Sequence, residues 1–226
     1  MGHRTQWFRG ADADLVVAVW VTRTGRVQFH AGLYHRDYGA PRVLHFAWDR
    51  DLRDDVPGDV FEGHDNGLIA LTLDDDDAQT LCALCRRVAR RHSNTLRYRF
   101  MEWRPRFDPT SADIIPSSTD ERYGFTCATF VLAMLRSAVV EELLMLDEWP
   151  LPAPQDADDR WQRRLAQMLC SNEASPAQAA KVLAGIGARR VLPTDVAGGA
   201  TQPRERWPVG FADARRDGDE IARCLR

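Results

Sequence analysis

The sequence predicts an α+β fold. Two patterns carry that expectation. Apolar runs with turn residues between them dominate the first half of the chain, and segments with helical spacing dominate the second. A third observation sets the sheet type: the first three strand-like runs are joined by short turns, which suggests an antiparallel meander within a sheet of about five strands.

The elements follow in order. "DLVVAVWVT" (14–22) reads as a buried strand, "RVQFHAGLYHR" (26–36) as a second after the Thr24-Gly25 turn, and "RVLHFAWD" (42–49) as a third after the "DYGAP" turn. "GLIALTL" (67–73) is a fourth. Asp74 to Asp77 open a helix expected to reach about His92, with acids at its start and arginines toward its end, as the helix dipole prefers. "LRYRFMEW" (96–103) alternates at period two and is expected as a fifth strand. A Pro-rich loop (104–120) leads to a helix from Thr126 to about Leu146, apolar on nearly every face and therefore buried. Helices are also expected over 159–170 and 176–186, the latter with Ser175 as N-cap and Pro176 at its first position. Beyond Pro193 the expectation is a loop-rich tail with at most a short final helix. The organisation is one domain: a strand-rich part (14–103), a loop (104–120) and a helical part (126–226).

Composition narrows the function classes. A net charge of −3 over 226 residues argues globally for neither a nucleic acid nor an anionic membrane as partner. The first residues lack the apolar core of a signal peptide, and "LVVAVWV" and "FVLAML" are too short to span a bilayer. No integral membrane association is expected, and the location is expected to be cytoplasmic, or reached by export without a cleaved signal. Five cysteines, mostly in helical segments, make a poor disulfide framework, so reduced thiols are expected.

Cys127 is the first chemical candidate. Thr126 is a natural N-cap, which places Cys127 in a first helical turn, where unpaired backbone N–H groups stabilise a thiolate and can supply half of an oxyanion hole. The plain alternative is a small hydrophobe in a buried helix. A cysteine nucleophile needs a histidine base, and the base needs a polar group to orient it. His3, His64 and His92 have ordinary structural explanations; His30, His35 and His45 lie on expected strands. Alternation puts His30, Gly32 and Tyr34 on one face of the second strand, and a hairpin through "DYGAP" brings His30 near His45.

"HAGLYHRDYGAPRVLHF", followed far downstream by "TCATFV", resembles the circularly permuted branch of the NlpC-type papain-like cysteine peptidases, which includes the lecithin:retinol acyltransferase group and bacterial hydrolases. The resemblance covers roughly 27–135, and faintly "RVLPTDVA" (190–197). It implies a papain-like fold with His30 as general base, His45 as the orienting third member and Cys127 as nucleophile, with Phe130 and Val131 packed behind it. It also implies a peptide, amide or ester substrate and a thioester intermediate, without cofactor or metal. Where the acyltransferases have Asn-Cys-Glu-His-Phe, this chain has Thr126-Cys127-Ala128-Thr129-Phe130, and nothing reads as a C-terminal anchor. That difference favours a hydrolase over lipid acyl transfer or a phospholipase. Tyr34 and Thr126 are further candidates for holding the oxyanion or substrate, and the 104–120 loop is expected to line the cleft.

Other motifs have simpler readings. Cys82 and Cys85 form a C-x-x-C without a second pair, within a helical apolar stripe, so core packing explains them better than zinc. Cys170 and Cys224 receive no role. The alternation of Arg97, Arg99, Arg104 and Arg106 reads as a solvated basic face. It would be the binding surface if the fold were catalytically silent.

Overall fold

The structure is a computed structural model. It describes residues 7–8, 15–24, 28–36, 39–61, 65–100, 104–115, 124–139, 141–154, 157–171 and 176–225. In chain order the first elements are β1 (Trp7–Phe8), β2 (Val17–Arg23), β3 (Phe29–His35), β4 (Arg42–Trp48), β5 (Asp51–Asp55), α1 (Pro57–Phe61), β6 (Asn66–Ala70) and α2 (Asp75–His92). Next come the short hairpin β7 (Arg106–Phe107) and β8 (Ile114–Ile115), and then α3 (Cys127–Ala138). The chain continues through α4 (Ala157–Ser171), α5 (Pro176–Leu183), α6 (Pro193–Ala200) and α7 (Phe211–Cys224).

The main sheet is antiparallel throughout, in the order β1-β6-β2-β3-β4-β5. Alternation divides its side chains between two layers. Val17, Val19, Val21, Ala31, Leu33, Leu44 and Phe46 face the main core, which α2, α3 and α6 cover. Ala18, Trp20, Tyr34, Val43 and Leu68 form a second, smaller cluster on the opposite face.

Several expectations change. The second strand, third strand and α2 appear where expected, and Asp74 caps α2 by accepting the Asp77 N–H at 2.9 Å. The expected strand over 96–103 is reduced to one parallel bridge, Tyr98 with Phe125; residues 101–103 lie outside the described residues. The sheet's remaining edge is instead β5, which pairs with β4. The long helix expected to reach Leu146 stops at Ala138, because Val139 takes an extended conformation and Arg136 turns to Glu142 and the Pro105 carbonyl.

The tail is helical rather than loop-rich. α6 and α7 pack directly on each other. Gly198 and Gly218 permit the close crossing: a Cβ at 218 would lie 2.5 Å from the Thr194 carbonyl oxygen. Asp195, fully buried, fixes the start of α6. It accepts from the Arg215 guanidinium at 2.7 and 3.0 Å, from the Leu192 N–H at 2.9 Å and from the Trp149 indole at 3.4 Å. No described helix is long and apolar enough to cross a membrane.

Candidate functional site

The site begins where two strands part. β3 and β4 pair from Leu33–Leu44 to His35–Arg42, and their ladder ends there. Toward Phe29 and Trp48 the strands separate, and two imidazoles span the gap. His30 Nε2 lies 2.9 Å from His45 Nδ1. His45 Nε2 in turn lies 3.0 Å from Asp55 Oδ2 on β5, where Arg53 is the direct cross-strand partner of His45 and Asp55 is two residues further on. Trp20 on β2 closes the group, meeting both rings edge to face at centroid distances of 5.6 and 5.3 Å. Its indole N–H is held by Asn66 Oδ1 at 2.9 Å.

Gly32 makes this arrangement possible. It pairs with Trp20 across the ladder, and a Cβ there would lie 2.7 Å from His45 Cβ and 2.8 Å from the Leu44 carbonyl oxygen. The room left by the glycine beside His30 is therefore taken by His45.

The hydrogen-bond inventory assigns the tautomers. An ionised Asp55 only accepts, so His45 carries its proton on Nε2 and offers the Nδ1 lone pair. That lone pair accepts the His30 Nε2–H, so the basic lone pair of His30 is on Nδ1. Burial lowers the pKa of His30 to about 3, with His45 and Arg53 adding to the effect. Burial also lowers His45, against an opposing pull from Asp55. Both rings are neutral at neutral pH.

Cys127 opens α3, as the N-cap reading of Thr126 predicts. Thr126 and Thr129 form a reciprocal cap: the Thr129 N–H meets Thr126 Oγ1 at 3.2 Å and the Thr126 N–H meets Thr129 Oγ1 at 2.8 Å. The residue before the cap is fixed as well, since the Phe125 N–H donates to the Arg97 carbonyl and the Phe125 carbonyl accepts the Arg99 N–H. Behind the tip, Phe130 and Val131 are fully buried, with Phe130 ringed by Phe46, Phe107 and Phe125.

The thiol is half-buried, not a fully exposed tip. Burial raises its pKa above the ordinary value, although the backbone N–H groups of Ala31, Ala128 and Cys127 itself, and the charge of Arg190, pull the other way. The expected thiolate at a helix tip is thereby corrected to a resting thiol. Its polar neighbours are backbone donors, including Ala31 next to His30; among the described hydrogen bonds none joins it to an imidazole.

One cavity of about 840 Å³ collects these groups. Trp20, His30, His45 and Asp55 line it from one side of the sheet, and Phe46, Tyr98, Thr126 and Cys127 from the other. It reaches both because β3 and β4 part at this end. Asp59 and Val60 of α1 add to the first side, and the far wall comes from α4, the 189–194 segment and α7, all far downstream in the chain.

The other candidates lie elsewhere. Tyr34 is fully buried in the second cluster and does not line the cavity. The described part of the 104–120 loop, residues 104–115, also leaves the cavity and docks on the far end of α3, where the Phe107 N–H donates to Ser137 Oγ at 2.6 Å. His35 pairs with Asp54 at 2.9 Å, and His92 bonds Thr95 and the Ala112 carbonyl. His3 and His64 lie outside the described residues. Cys82 and Cys85 are buried in the core. The basic face is not a solvated strip: Arg99 is buried, Arg97 approaches Asp49 at 3.6 Å and Arg104 meets Glu142 and Asp147.

Asp55 and Trp20 are the functional neighbours that sequence reasoning missed. "DLRDD" carries one apolar residue, so nothing marked it as a strand beside His45. No group of three or more metal-ligating side chains forms among the described residues. Comparison with protein-family models, with curated proteins and with solved structures returns no match for this chain.

Proposed function

We propose that the protein is a cysteine hydrolase that cleaves an amide or ester bond through a thioester, with Cys127 as nucleophile and His30 as base. The observation that carries this reading is the His30–His45–Asp55 chain. It ends on a basic Nδ1 in the same cavity as a thiol at a capped helix start. The arrangement suits the papain-like resemblance of the sequence, and Asp55 extends it by one member.

The resting pair is neutral, so the proton moves during attack. As Cys127 Sγ forms its bond to the carbonyl carbon, the thiol proton passes to His30 Nδ1. The two atoms must close to hydrogen-bond distance once substrate fills the cavity. The imidazolium shares its charge with His45 and Asp55. Backbone N–H groups near the sulfur hold the oxyanion. Collapse breaks the C–N or C–O bond, and His30 returns the proton to the leaving amine or alcohol. Water, deprotonated by His30, then attacks the thioester carbonyl and releases the acid and the free thiol.

Acylation by an activated ester, 4-nitrophenyl acetate, tests the reading. Intact-mass and peptide analysis should place a single acetyl group on Cys127, and the rate should fall by about 10²-fold or more in His30→Gln, the range for a positioned base. Acylation spread evenly over the cysteines, or unchanged in His30→Gln, would refute it and leave a binding module on the same scaffold.

A further inference from the structure

The indole beside the two histidines takes no step in the chemistry above. We propose that Trp20 is the positioning residue that aims the base: it sets the plane of the His30 ring, and with it the direction of the Nδ1 lone pair that takes the thiol proton. This role rests on His30 being the base of the proposed reaction.

The hydrogen bond between the imidazoles cannot aim the ring alone. It holds His30 Nε2 at 2.9 Å from His45 Nδ1, which aligns donor with acceptor, but it imposes no twist between the two ring planes. The terminal torsion of a histidine is broad, so the plane must be fixed by what surrounds it. His30 Nδ1 lies off the line of the hydrogen bond, and its lone pair therefore swings as the ring twists. The observed angle between the imidazole planes is 81°, with centroids 5.1 Å apart. Trp20 accounts for that angle, because the indole meets His30 at 78° and 5.6 Å and His45 at 62° and 5.3 Å. Three rings in mutual edge-to-face contact, the arrangement that aromatic quadrupoles favour, hold one another's planes.

The indole is itself held. Trp20 is only 2% exposed, and its N–H donates to Asn66 Oδ1 at 2.9 Å. Asn66 stands on β6 opposite Thr22, so this anchor reaches Trp20 diagonally across the ladder. On the other side, Trp20 Cε3 would lie 3.1 Å from a Cβ at Gly32, so the glycine that admits His45 admits the indole as well. The helices α2, α3 and α6 pack on the opposite face of the sheet, and the buried cluster on this face has Trp20 as its largest member. Asp55 fixes His45 from its far nitrogen and reaches His30 only through it. The His30 plane therefore depends on Trp20.

A double-mutant cycle tests the role. The quantity measured is the rate of Cys127 acetylation by 4-nitrophenyl acetate divided by its rate of alkylation by iodoacetamide. Alkylation needs no proton transfer to His30 in its transition state, so the ratio cancels changes in thiol acidity and access. Trp20→Phe should lower the ratio roughly tenfold, less than the ~10²-fold of an ångström-scale misplacement. It should leave the ratio unchanged where His30→Gln is already present, because the indole acts only through His30. An equal fall in both backgrounds is the mark of a merely structural indole and overturns the proposal, as does no fall at all. Carbon-13 relaxation of the His30 ring gives a readout independent of Cys127: its order parameter should drop in Trp20→Phe, and an unchanged value also overturns the proposal. If Trp20→Phe does not fold, Asn66→Ala, which frees the indole without removing it, should show both effects at smaller amplitude, and the absence of either there overturns it. Acetylation that ignores His30→Gln refutes the hydrolase reading, and the relaxation result then decides for or against the hold of Trp20 on the ring.

Discussion

The Nε2 atom of His30 lies 2.9 Å from Nδ1 of His45, and this single contact fixes which nitrogen of each ring is basic. Asp55, 3.0 Å from the far nitrogen of His45, sets the direction of the chain. Removing Asp55 should therefore act at a distance. Asp55→Ala leaves Cys127 and His30 in place but frees His45 to adopt the other tautomer, in which Nδ1–H confronts His30. Acylation of Cys127 should fall by about 10-fold or more, and by up to about 10²-fold in His45→Ala, within the range of positioned proton-transfer groups. Imidazole nitrogen shifts by NMR give an independent readout. In Asp55→Ala the His45 proton should redistribute between Nδ1 and Nε2, and an unchanged spectrum would refute the orienting role.

Gly32 is where the fold and the site meet. A methyl at this position would lie 2.7 Å from His45 Cβ and 2.8 Å from the Leu44 carbonyl, and backbone cannot yield as a flexible side chain can. Gly32→Ala should cost about 1–3 kcal/mol by overpacking and push His45 away from His30. Loss of acylation beyond the loss of stability, measured well below the unfolding midpoint, is the expected signature. A variant with wild-type denaturation and wild-type acylation would show that the strands part more readily than this geometry implies.

Acid should weaken the protein through the same imidazoles. In the folded state His30 is held to a pKa of about 3, against 6.5 in an ordinary environment. Between those values the unfolded chain binds a proton that the folded one refuses. Stability is therefore full above about pH 6.5 and falls as the pH drops toward 3, with a slope of at most about 1.4 kcal/mol per pH unit for this group; partial solvent contact keeps the slope below that ceiling. His45 and His92 shift in the same direction and steepen it. Chemical denaturation across this range should show a shallower slope in His30→Gln than in the wild type, and superimposable slopes would mean that His30 is protonated in the fold.

The thiol should titrate in the opposite sense. Because burial raises the Cys127 pKa, its alkylation by iodoacetamide should still be climbing above about pH 8.5, where an ordinary thiol is half ionised. The rate of Cys127 is best read by peptide mapping against Cys224, which is exposed. A Cys127 profile that saturates at lower pH than that of Cys224 would indicate a resting thiolate.

The parts legible in the sequence were those written in local pattern. Asp74 with the acids behind it announced α2, Thr126 announced the start of α3, and the alternation around His30 and His45 announced both strands and their meeting. β5 was silent because an edge strand can form from backbone pairing alone, and "DLRDD" carries only Leu52 toward the core. α6 was hidden by Gly198 and Gly199, which weaken helix propensity, yet Gly198 is required by the close approach of α7. The stacking of Arg190 on Trp161 joins residues whose elements are separate in the chain, and no local pattern encodes it. Within the described residues 96–100, Arg97 faces Asp49 and Arg99 is buried, so the alternation there does not make a ladder beyond the Tyr98–Phe125 bridge.

Asp195 gives the last prediction, because the cavity's far wall hangs from it. Its carboxylate is fully buried and takes four hydrogen bonds: two from Arg215, one from the Leu192 backbone and one from Trp149. Asp195→Ala removes all of them and strands the Leu192 N–H and part of the guanidinium. Breaking a buried pair from one side costs about 3–5 kcal/mol, and the lower end applies here because Arg215 retains solvent contact. Thermal unfolding should shift down accordingly, while the double variant Asp195→Leu with Arg215→Leu should recover part of the loss, since no charge is then left without its partner. At temperatures where the single variant remains folded, acetylation of Cys127 by 4-nitrophenyl acetate should slow, because the Leu192 N–H that ties down the 189–194 wall of the cavity has lost its acceptor. Stability lost with the acetylation rate intact would confine Asp195 to holding α6 and α7 together.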